Sequence, residues 1–371
     1  MRKGWEYKKL GDCTQILDSQ RKPVTKRDRK SGIYPYYGAT GIQDYVDKYI
    51  FDGRYVLVGE DGAKWSSFTQ SAFIIEGKTW VNNHAHVLRT NDFLVDSFLV
   101  YFLNYSDLDS YISGAIIRKL TQASLRNIDI PLPPKSTQLA IVSELDKINE
   151  LIRLKKEQLK DFDNLAQSLF YEMFGDPVEN EKGWEVKKLK DISREIGDGL
   201  HGTPEYSEVD TGCYFINGNN LENGTIVIKE NTKMVSEKTK TKHYIEMDDF
   251  TILVSINGTL GKVAFYNGEN VILGKSACYI KLEAYNDKKY IFELLKSDYF
   301  KRYAESECTG TTIRNVSLKS MRNFRCPLPP LPLQRLFAQR IEQIEREKSE
   351  VQKSIQDLET LLASRMQYWF E

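Results

Sequence analysis

The sequence predicts an α+β protein in which two mixed α/β domains are joined by two long helices in a pseudo-two-fold internal repeat. Three observations support this fold class. Nearly the whole chain of 371 residues occurs twice. Each copy closes with a long heptad pattern of apolar residues, and each copy holds short apolar runs between turn residues. Two copies of this length indicate two homologous domains rather than a solenoid.

The repeat is defined by matching segments near the ends of each copy. Gly4-Trp5-Glu6-Tyr7-Lys8-Lys9-Leu10 returns as Gly183-Trp184-Glu185-Val186-Lys187-Lys188-Leu189, an offset of 179 residues (183 − 4). Pro131-Leu132-Pro133-Pro134 returns as Pro327-Leu328-Pro329-Pro330, an offset of 196 (327 − 131), and Ile117-Arg118 returns as Ile313-Arg314 at the same offset. The second copy therefore carries a net insertion of 17 residues (196 − 179) ahead of its core.

These segments divide the chain into four parts. We expect a first domain over residues 1–134, a central helix over 135–175, a second domain over 176–330 and a C-terminal helix over 331–371. In the domains we expect strands at Tyr55–Val58, Ala72–Ile75, Ala85–Leu88, Ile252–Val254, Val263–Phe265 and Cys278–Ile280. Short helices are expected at Phe98–Tyr105 and Ala123–Arg126.

The central helix follows a run of prolines, which suits extended chain or a first helical turn. Ser136 or Thr137 is expected to cap it. Its apolar stripe alternates steps of four and three and is broken only by Lys155. Such a stripe alone also fits a helix on a globular core, but its recurrence 196 residues later favours two helices that cover each other. The predicted pairing positions are Ile141, Leu145, Ile148, Ile152, Leu159, Phe162, Phe337, Ile341, Ile344, Val351, Ile355 and Leu358.

Composition narrows the class of protein. Lys and Arg total 52, as do Asp and Glu, so nonspecific nucleic-acid binding through net charge is disfavoured while local basic patches stay possible. Five scattered cysteines fit no zinc or redox motif and indicate reduced intracellular thiols. The sequence has no secretory signal and no transmembrane stretch, so we expect a cytoplasmic protein without a membrane partner.

The sequence contains no recognisable active site. There is no glycine-rich methyltransferase loop, and the segment ending Gly274-Lys275-Ser276 is a poor P-loop match because Val271–Leu273 reads as a strand. His84 and His86 are expected on one face of a strand, where polar packing is favoured over a metal site. Glu6-Tyr7-Lys8 matches a nuclease pattern without its partner aspartate, so an exposed strand explains it better.

Two basic clusters precede the core strands of the two domains. The first contains Arg21, Lys22, Lys26, Arg27, Arg29 and Lys30, and the second contains Lys238, Lys240, Lys242 and His243. Tyr34, Tyr36 and Tyr37 follow the first, and Asn217, Asn219 and Asn220 lie near the second. Solvated loops would account for such clusters in an arbitrary protein. Cations for phosphates beside amides and phenols for base edges are the chemistry of DNA readout.

The paired Pro-Leu-Pro-Pro-x-x-x-Gln segments, with Gln138 and Gln334, resemble the specificity subunits of type I restriction-modification systems, the HsdS family. The two Gly-Trp-Glu-x-Lys-Lys-Leu segments share this resemblance, as do Tyr36–Ile42, Phe51–Gly53, Gly59–Ala63 and Asp198–Tyr206, which are similar to target recognition domains. Ser136-Thr137 and Pro332-Leu333 depart from the residues usual before the glutamine.

The resemblance implies a non-catalytic DNA-binding subunit. Each target recognition domain would read one half of an asymmetric bipartite site on double-stranded DNA, and the helices would pair antiparallel as a spacer. Two methylation subunits would transfer methyl from S-adenosylmethionine to adenine, and motor-nuclease restriction subunits would supply ATP- and magnesium-dependent cleavage. This chain itself would bind no cofactor and no metal.

We expect the DNA contacts to lie on loops rather than in strand interiors. The predicted contacts are Lys22, Lys26, Arg27, Tyr36, Tyr37, Thr40, Lys64, Asn83, His201, Thr203, Asn217, Asn219, Lys240, Asn257 and Lys275. Two alternatives remain at this stage. One is a stand-alone DNA-modifying enzyme with an unrecognised site, which an assay with labelled S-adenosylmethionine would reveal. The other is a coiled-coil scaffold that binds only protein, which a gel shift would contradict.

Overall fold

A computed structural model describes residues 5–114, 116–222, 224–309 and 314–371. The repeated residues Gly4 and Ile313 lie outside the described ranges. The chain forms two compact units, one of Met1–Gln158 with Val351–Glu371 and the other of Leu159–Glu350. Each unit therefore contains one mixed domain and a segment of each long helix.

The first unit is built on a six-stranded sheet with strand order β2-β7-β5-β6-β3-β4. Its strands are β1 Glu6–Lys9, β2 Thr14–Ile16, β3 Ser31–Gly38, β4 Gly41–Val46, β5 Phe51–Gly59, β6 Ala72–Val81, β7 Ala85–Thr90, β8 Ile112–Ser113, β9 Lys119–Leu120 and β10 Asp129–Leu132. Its short helices are α1 Leu10–Cys13, α2 Asp96–Tyr105 and α3 Gln122–Arg126. The predicted strands and helices of this domain are confirmed.

The second unit has a four-stranded sheet, β12-β19-β16-β17, beside a parallel pair, β13 and β18. Its strands are β11 Glu185–Lys188, β12 Ser193–Asp198, β13 Tyr214–Ile216, β14 Leu221–Glu222, β15 Thr225–Ile226, β16 Thr251–Ser255, β17 Val263–Phe265, β18 Val271–Leu273, β19 Ala277–Leu282 and β20 Arg325–Leu328. Its helices are α5 Glu237–His243, α6 Lys288–Lys296, α7 Asp298–Ser306 and α8 Leu318–Asn323. The expected strands are again confirmed, including Val271–Leu273.

The central strand of each sheet packs in the same way in both units. Because strand side chains alternate between faces, Val56 and Val58 of β5 enter a core with α2, while Leu57 faces a second, smaller core. In β16, Leu253 likewise faces the smaller core, and the residues on either side of it enter the larger one. The apolar triplet Val56–Val58 returns as Ile252–Val254 at the offset of 196 residues (252 − 56), and in both copies it contributes side chains to both faces of the sheet.

A sharp bend in the first sheet brings distant connections together. β6 starts opposite Val58 and runs antiparallel to β5 as far as Phe51, at the other end of that strand. β7 nevertheless begins opposite Gly59, only three residues after β6 ends. Three residues cannot run back along a straight strand of this length. Gly53 and Gly77 pair across the hairpin, and both have positive φ angles, 138° and 78°. Glycine alone adopts such angles readily, so this pair allows the hairpin to fold back.

The long helices are α4, Lys135–Phe174, and α9, Leu331–Phe370. Ser136 and Thr137 were expected as caps, but α4 already begins at Lys135, and the Thr137 amide donates to Pro134 O (2.8 Å). Both residues therefore lie in the first turn. Each helix start is also held by its repeated glutamine. Gln138 accepts from the Val95 amide and donates to two carbonyls, and Gln334 accepts from the Asp287 amide.

Within each unit the helix segments pack in opposite directions. In the first unit, Glu144 near the start of α4 pairs with Arg365 near the end of α9, and Lys156 pairs with Glu359 (2.8 Å). In the second unit, Asp163 pairs with Lys348 (2.9 Å), and further along α4 the Phe170 ring packs edge-on against Phe337 of α9. The antiparallel helix pairing and the fold class are therefore confirmed.

The predicted pairing stripe faces the interior of each unit. The buried members of the stripe are Ile141, Leu145, Ile148, Ile152, Phe337, Ile341, Ile344, Val351 and Ile355. The partly exposed members are Leu159, Phe162 and Leu358. None of the helices in the described ranges is long and apolar enough to cross a membrane.

Candidate nucleic-acid interface

Four connections of the first unit meet at one end of its sheet. A methyl group on Gly59 would lie 2.3 Å from the Ala63 Cβ and 3.4 Å from the carbonyl oxygen of Ala39, so the loop after β5 touches the β3–β4 turn. The Glu60 amide donates to His84 O (2.8 Å), and the Lys22 amide donates to Val81 O (3.3 Å). The turn at Thr40, the loop to Lys64, the turn at Asn83 and the segment at Lys22 thus form one surface.

A buried ionic cluster supports the loops of this surface. Arg21 and Lys119 each pair with Glu60 (2.5 and 2.6 Å), and Asp18 hydrogen-bonds to His86 (2.6 Å). Burial alone would raise the pKa of the Asp18 carboxyl, but the His86 hydrogen bond and the nearby Arg21 charge hold it below its ordinary value. Burial likewise opposes ionisation of Glu60, and its bonds to Lys119 and Arg21 lower its pKa.

The two histidines lie in different surroundings, and only His86 belongs to the ionic cluster. His84 lies in the turn before β7, so the expectation that it shares a strand face with His86 is wrong. It hydrogen-bonds to Asp61 (2.5 Å), while His86 is buried against Asp18 and Leu120 O. Asp18, Glu60 and His86 are close enough to hold a metal ion. Two cations already neutralise Glu60, so the polar-packing interpretation fits these residues.

Most predicted contacts of the first unit lie on its exposed surface. Lys22, Thr40, Lys64 and Asn83 are exposed on the four converging connections. Lys26 and Arg27 are exposed in a single 3-10 turn, Lys26–Asp28.

Tyr36 and Tyr37 require a correction, because both lie within β3 rather than on a loop. Tyr36 is only 1% exposed. Its hydroxyl accepts from the Val24 amide (3.0 Å), and the Arg29 guanidinium lies over its ring, 4.2 Å from the centroid. The phenol therefore anchors the basic segment instead of presenting itself to a ligand. Tyr37 is partly exposed.

In the second unit, several connections also converge beyond the strand ends. β12 ends beside the start of β19, and Ser255 at the end of β16 pairs with Ala277. The Lys275 amide donates to Leu200 O (3.1 Å), and the Gly218 amide donates to Ser276 Oγ (3.0 Å). A methyl group on Gly218 would lie 2.5 Å from Ser255 Oγ, so this close approach requires glycine.

Polar side chains line a cavity of about 450 Å³ beside these connections. Its wall is rigid because buried Asn220 accepts from the Asn217 amide and donates to Val227 O and Thr232 Oγ1. Lys229 and Lys262 share Glu222 at 2.7 and 3.9 Å. The lining residues are Tyr206, Phe215, Asn217, Asn219, Asn220, Lys229, Asn231, Thr232, Lys233 and Lys262. Amides and lysines in one concave site suit base edges and phosphates.

The predicted contacts of the second unit divide into two groups. The strand-end connections hold His201, Thr203, Asn217, Asn219, Asn257 and Lys275. Lys240 requires a correction, because it lies on α5 rather than on a loop. Ser236 caps this helix by accepting from the Thr239 amide (3.2 Å). Lys240, Lys242 and His243 of the cluster fall in its last turn, where positive charge interacts favourably with the helix dipole.

Sequence reasoning missed the residues that complete the cavity. Lys229, Asn231 and Lys233 come from the segment before α5, and Lys262 comes from the connection after β16. Tyr206 also lines the cavity, and the Lys233 ammonium lies 4.8 Å from its ring centroid. Only the folded chain brings these segments together. The signal available in the sequence was the placement of Lys229, Asn231 and Lys233 at alternate positions.

Comparison with known proteins identifies the family. The family model described as type I restriction modification DNA specificity domain matches residues 2–161 and 181–360. A putative type I restriction enzyme specificity subunit from Haemophilus influenzae is 28% identical over 92% of this chain and 87% of its own. The MjaVIII specificity subunit of Methanocaldococcus jannaschii is 22% identical over 96% and 92% of the two chains.

Solved structures agree on the fold. The S subunit of a type I restriction-modification system from M. genitalium has a TM-score of 0.53 at 14% identity, over 99% of this chain and 96% of its own. A chain from a structural study of the assembly and conformational transition of the type I R-M system has a TM-score of 0.61 at 17% identity, over 100% and 98%. The chain therefore belongs to the family of type I restriction-modification DNA specificity domains, and it carries two of them.

Proposed function

We propose that this chain is the DNA-recognition subunit of a type I restriction-modification complex, with each domain reading one half of a bipartite target. A single observation carries the proposal. The two copies share a framework, seen in the β1–β10 and β11–β20 ladders and in the glutamine-held helix starts, but they present unlike loops at their strand ends. A common framework with different loops is expected of two readers with different targets.

The functional division follows the four parts of the sequence. Residues 1–134 and 176–330 are the two target recognition domains, and residues 135–175 and 331–371 are the spacer helices. The predicted contacts other than buried Tyr36 stay our proposed DNA-binding residues, extended by Lys229, Lys233 and Lys262 of the cavity. Amides at Asn83 and Asn219 are suited to base edges, and the lysines are suited to phosphates.

The partners follow from the same assignment. Two methylation subunits dock on the helices and domain flanks and transfer methyl from S-adenosylmethionine to adenine. Restriction subunits join them and use ATP and magnesium to translocate and cleave DNA. This chain performs no chemical step, so the purified chain alone transfers no label from S-adenosylmethionine, whereas the complex with methylation subunits does.

The proposed phosphate contacts are tested by binding assays on the complex with methylation subunits. Single Lys229→Ala, Lys233→Ala and Lys262→Ala variants each weaken binding to all sequences and reduce the slope of log K against log salt by about 0.9. The matched control is Lys190→Ala, because Lys190 is exposed just before β12, at the end of that strand away from the cavity. Unchanged slopes in all three variants would contradict the cavity as a DNA contact.

A further inference from the structure

The β8–β9 hairpin carries the most exposed large apolar side chain in the described ranges. Ile116 is 97% exposed and its neighbour Ile117 is 70% exposed. Single exposed aliphatic residues are ordinary on protein surfaces. Two adjacent isoleucines at a hairpin tip form a narrow apolar protrusion. Proteins that insert apolar side chains between base pairs use protrusions of this kind.

The base of this hairpin is held firmly. Lys119 pairs with Glu60 at 2.6 Å, and the Leu120 amide donates to Glu60 O (2.8 Å). Arg118 pairs with Asp109 (2.7 Å) and lies 5.8 Å from the Trp65 ring centroid. The apolar tip therefore projects from an anchored support rather than from a free loop.

The hairpin borders the surface that we assign to DNA. The backbone of Asp61 forms an isolated antiparallel β-bridge with Lys119, and the Asp61 carboxylate hydrogen-bonds to His84. Loop 60–64 and turn 82–84 carry the proposed contacts Lys64 and Asn83. The apolar tip is thus continuous with a polar, partly basic surface.

Part of the sequence of this tip recurs in the second copy, although the reading loops differ. Ile117-Arg118 matches Ile313-Arg314 at the same offset as the core, with Thr312 in place of Ile116. Thr312 and Ile313 lie outside the described residues. A feature common to both copies fits a task needed at both half-sites rather than the choice of bases. Under the proposed function, that common task is access to an adenine inside the duplex.

We propose that Ile116 and Ile117 act as a wedge that enters the stacked bases of the first half-site and holds the distortion from which the methylation subunit extrudes its adenine. Apolar side chains do this in other proteins by unstacking a base step. A tip of two residues is too small for a stable protein interface, which buries roughly 1,200–2,000 Å². Adjoining lysine and asparagine contacts would keep the duplex in place while the tip enters.

The test uses the complex with methylation subunits and two DNA substrates. One carries 2-aminopurine in place of the target adenine of the first half-site and reports base extrusion by fluorescence, and the other keeps the natural adenine and reports methylation. The double variant Ile116→Ser/Ile117→Ser gives a smaller fluorescence rise on binding and about tenfold slower methylation of that half-site, with the recognised motif unchanged. Ile116→Leu/Ile117→Leu retains both signals. Ile33→Ser is the matched control, because Ile33 is 79% exposed but lies on β3.

This inference rests on the proposed function, but the outcomes separate the two. If the parent complex methylates a bipartite motif and the serine variant matches it in fluorescence and rate, the wedge is wrong and the function stands. Loss of the methylation subunits from the purified serine variant would show a protein contact and also overturn the wedge. If the parent complex neither binds nor methylates a bipartite motif, both proposals fail.

Discussion

At the scale of single residues, Gln138 shows why a polar side chain is buried in each copy. It is fully buried, accepts from the Val95 amide and donates to the carbonyls of Phe93 and Pro133. We predict that Gln138→Leu lowers the free energy of unfolding by about 3 kcal/mol, because it leaves buried backbone groups without partners. Urea unfolding measures this, and Gln158→Leu on the exposed face of α4 is the control. Equal stability of the two variants would contradict the role.

The ionic cluster makes a second prediction at this scale. Arg21→Met removes a buried partner of Glu60 and Asp18, and we expect a loss of about 2–3 kcal/mol at neutral pH. Arg54→Met is the control, since its exposed ion pairs contribute less than about 1 kcal/mol. A loss no larger than that of Arg54→Met would contradict the prediction.

The pH dependence of this loss follows from the two carboxyls. Asp18 and Glu60 have folded-state pKa values below their ordinary values of about 3.9 and 4.3. Their stabilisation is therefore complete above those ordinary values and disappears as the pH falls through the lowered ones. Urea unfolding at a series of pH values should show the gap between parent and Arg21→Met closing below about pH 4. A gap that widens on acidification would contradict the pKa directions.

At the scale of elements, the helix lengths are predicted to set the gap between half-sites. One heptad adds about 10.5 Å of helix, which corresponds to about three base pairs at ~3.4 Å each. We predict that a seven-residue insertion in both helices, between Lys156 and Asp163 and between Lys348 and Glu359, lengthens the unread gap by about three base pairs. Methylation of a library of targets with different gaps measures this. The control insertion in α4 alone breaks the facing pairs and abolishes methylation.

Some features of these elements could be predicted from the sequence, and others could not. Local sequence patterns predict the heptad stripe, the proline segments before the helices and the strand triplets at Val56–Val58 and Ile252–Val254. The structure contains each of these features. Tyr36 was misplaced because the phenols looked like ligands, whereas the fold uses that ring to hold Val24 and Arg29. The cavity was missed because Lys262 meets Lys229 and Lys233 only through tertiary packing.

At the scale of the whole molecule, the two copies differ most where they would touch DNA. The first surface is built on turns of a bent six-stranded sheet, and the second surrounds a cavity of amides and lysines. Unlike surfaces predict unlike half-sites. A variant such as Asn219→Ala should therefore relax recognition in one half of the target and leave the other half unchanged. Sequencing the motif methylated by this variant tests the prediction, and an equal change in both halves would contradict it.

The central claim is that this chain directs methylation to one asymmetric bipartite site. The most direct measurement is genome-wide adenine methylation by single-molecule sequencing, in cells that express the methylation subunit with and without this chain. We predict that removing the chain abolishes methylation of a single motif made of two different short blocks separated by a fixed gap. Methylation that persists unchanged, or a motif that is palindromic, would contradict the account.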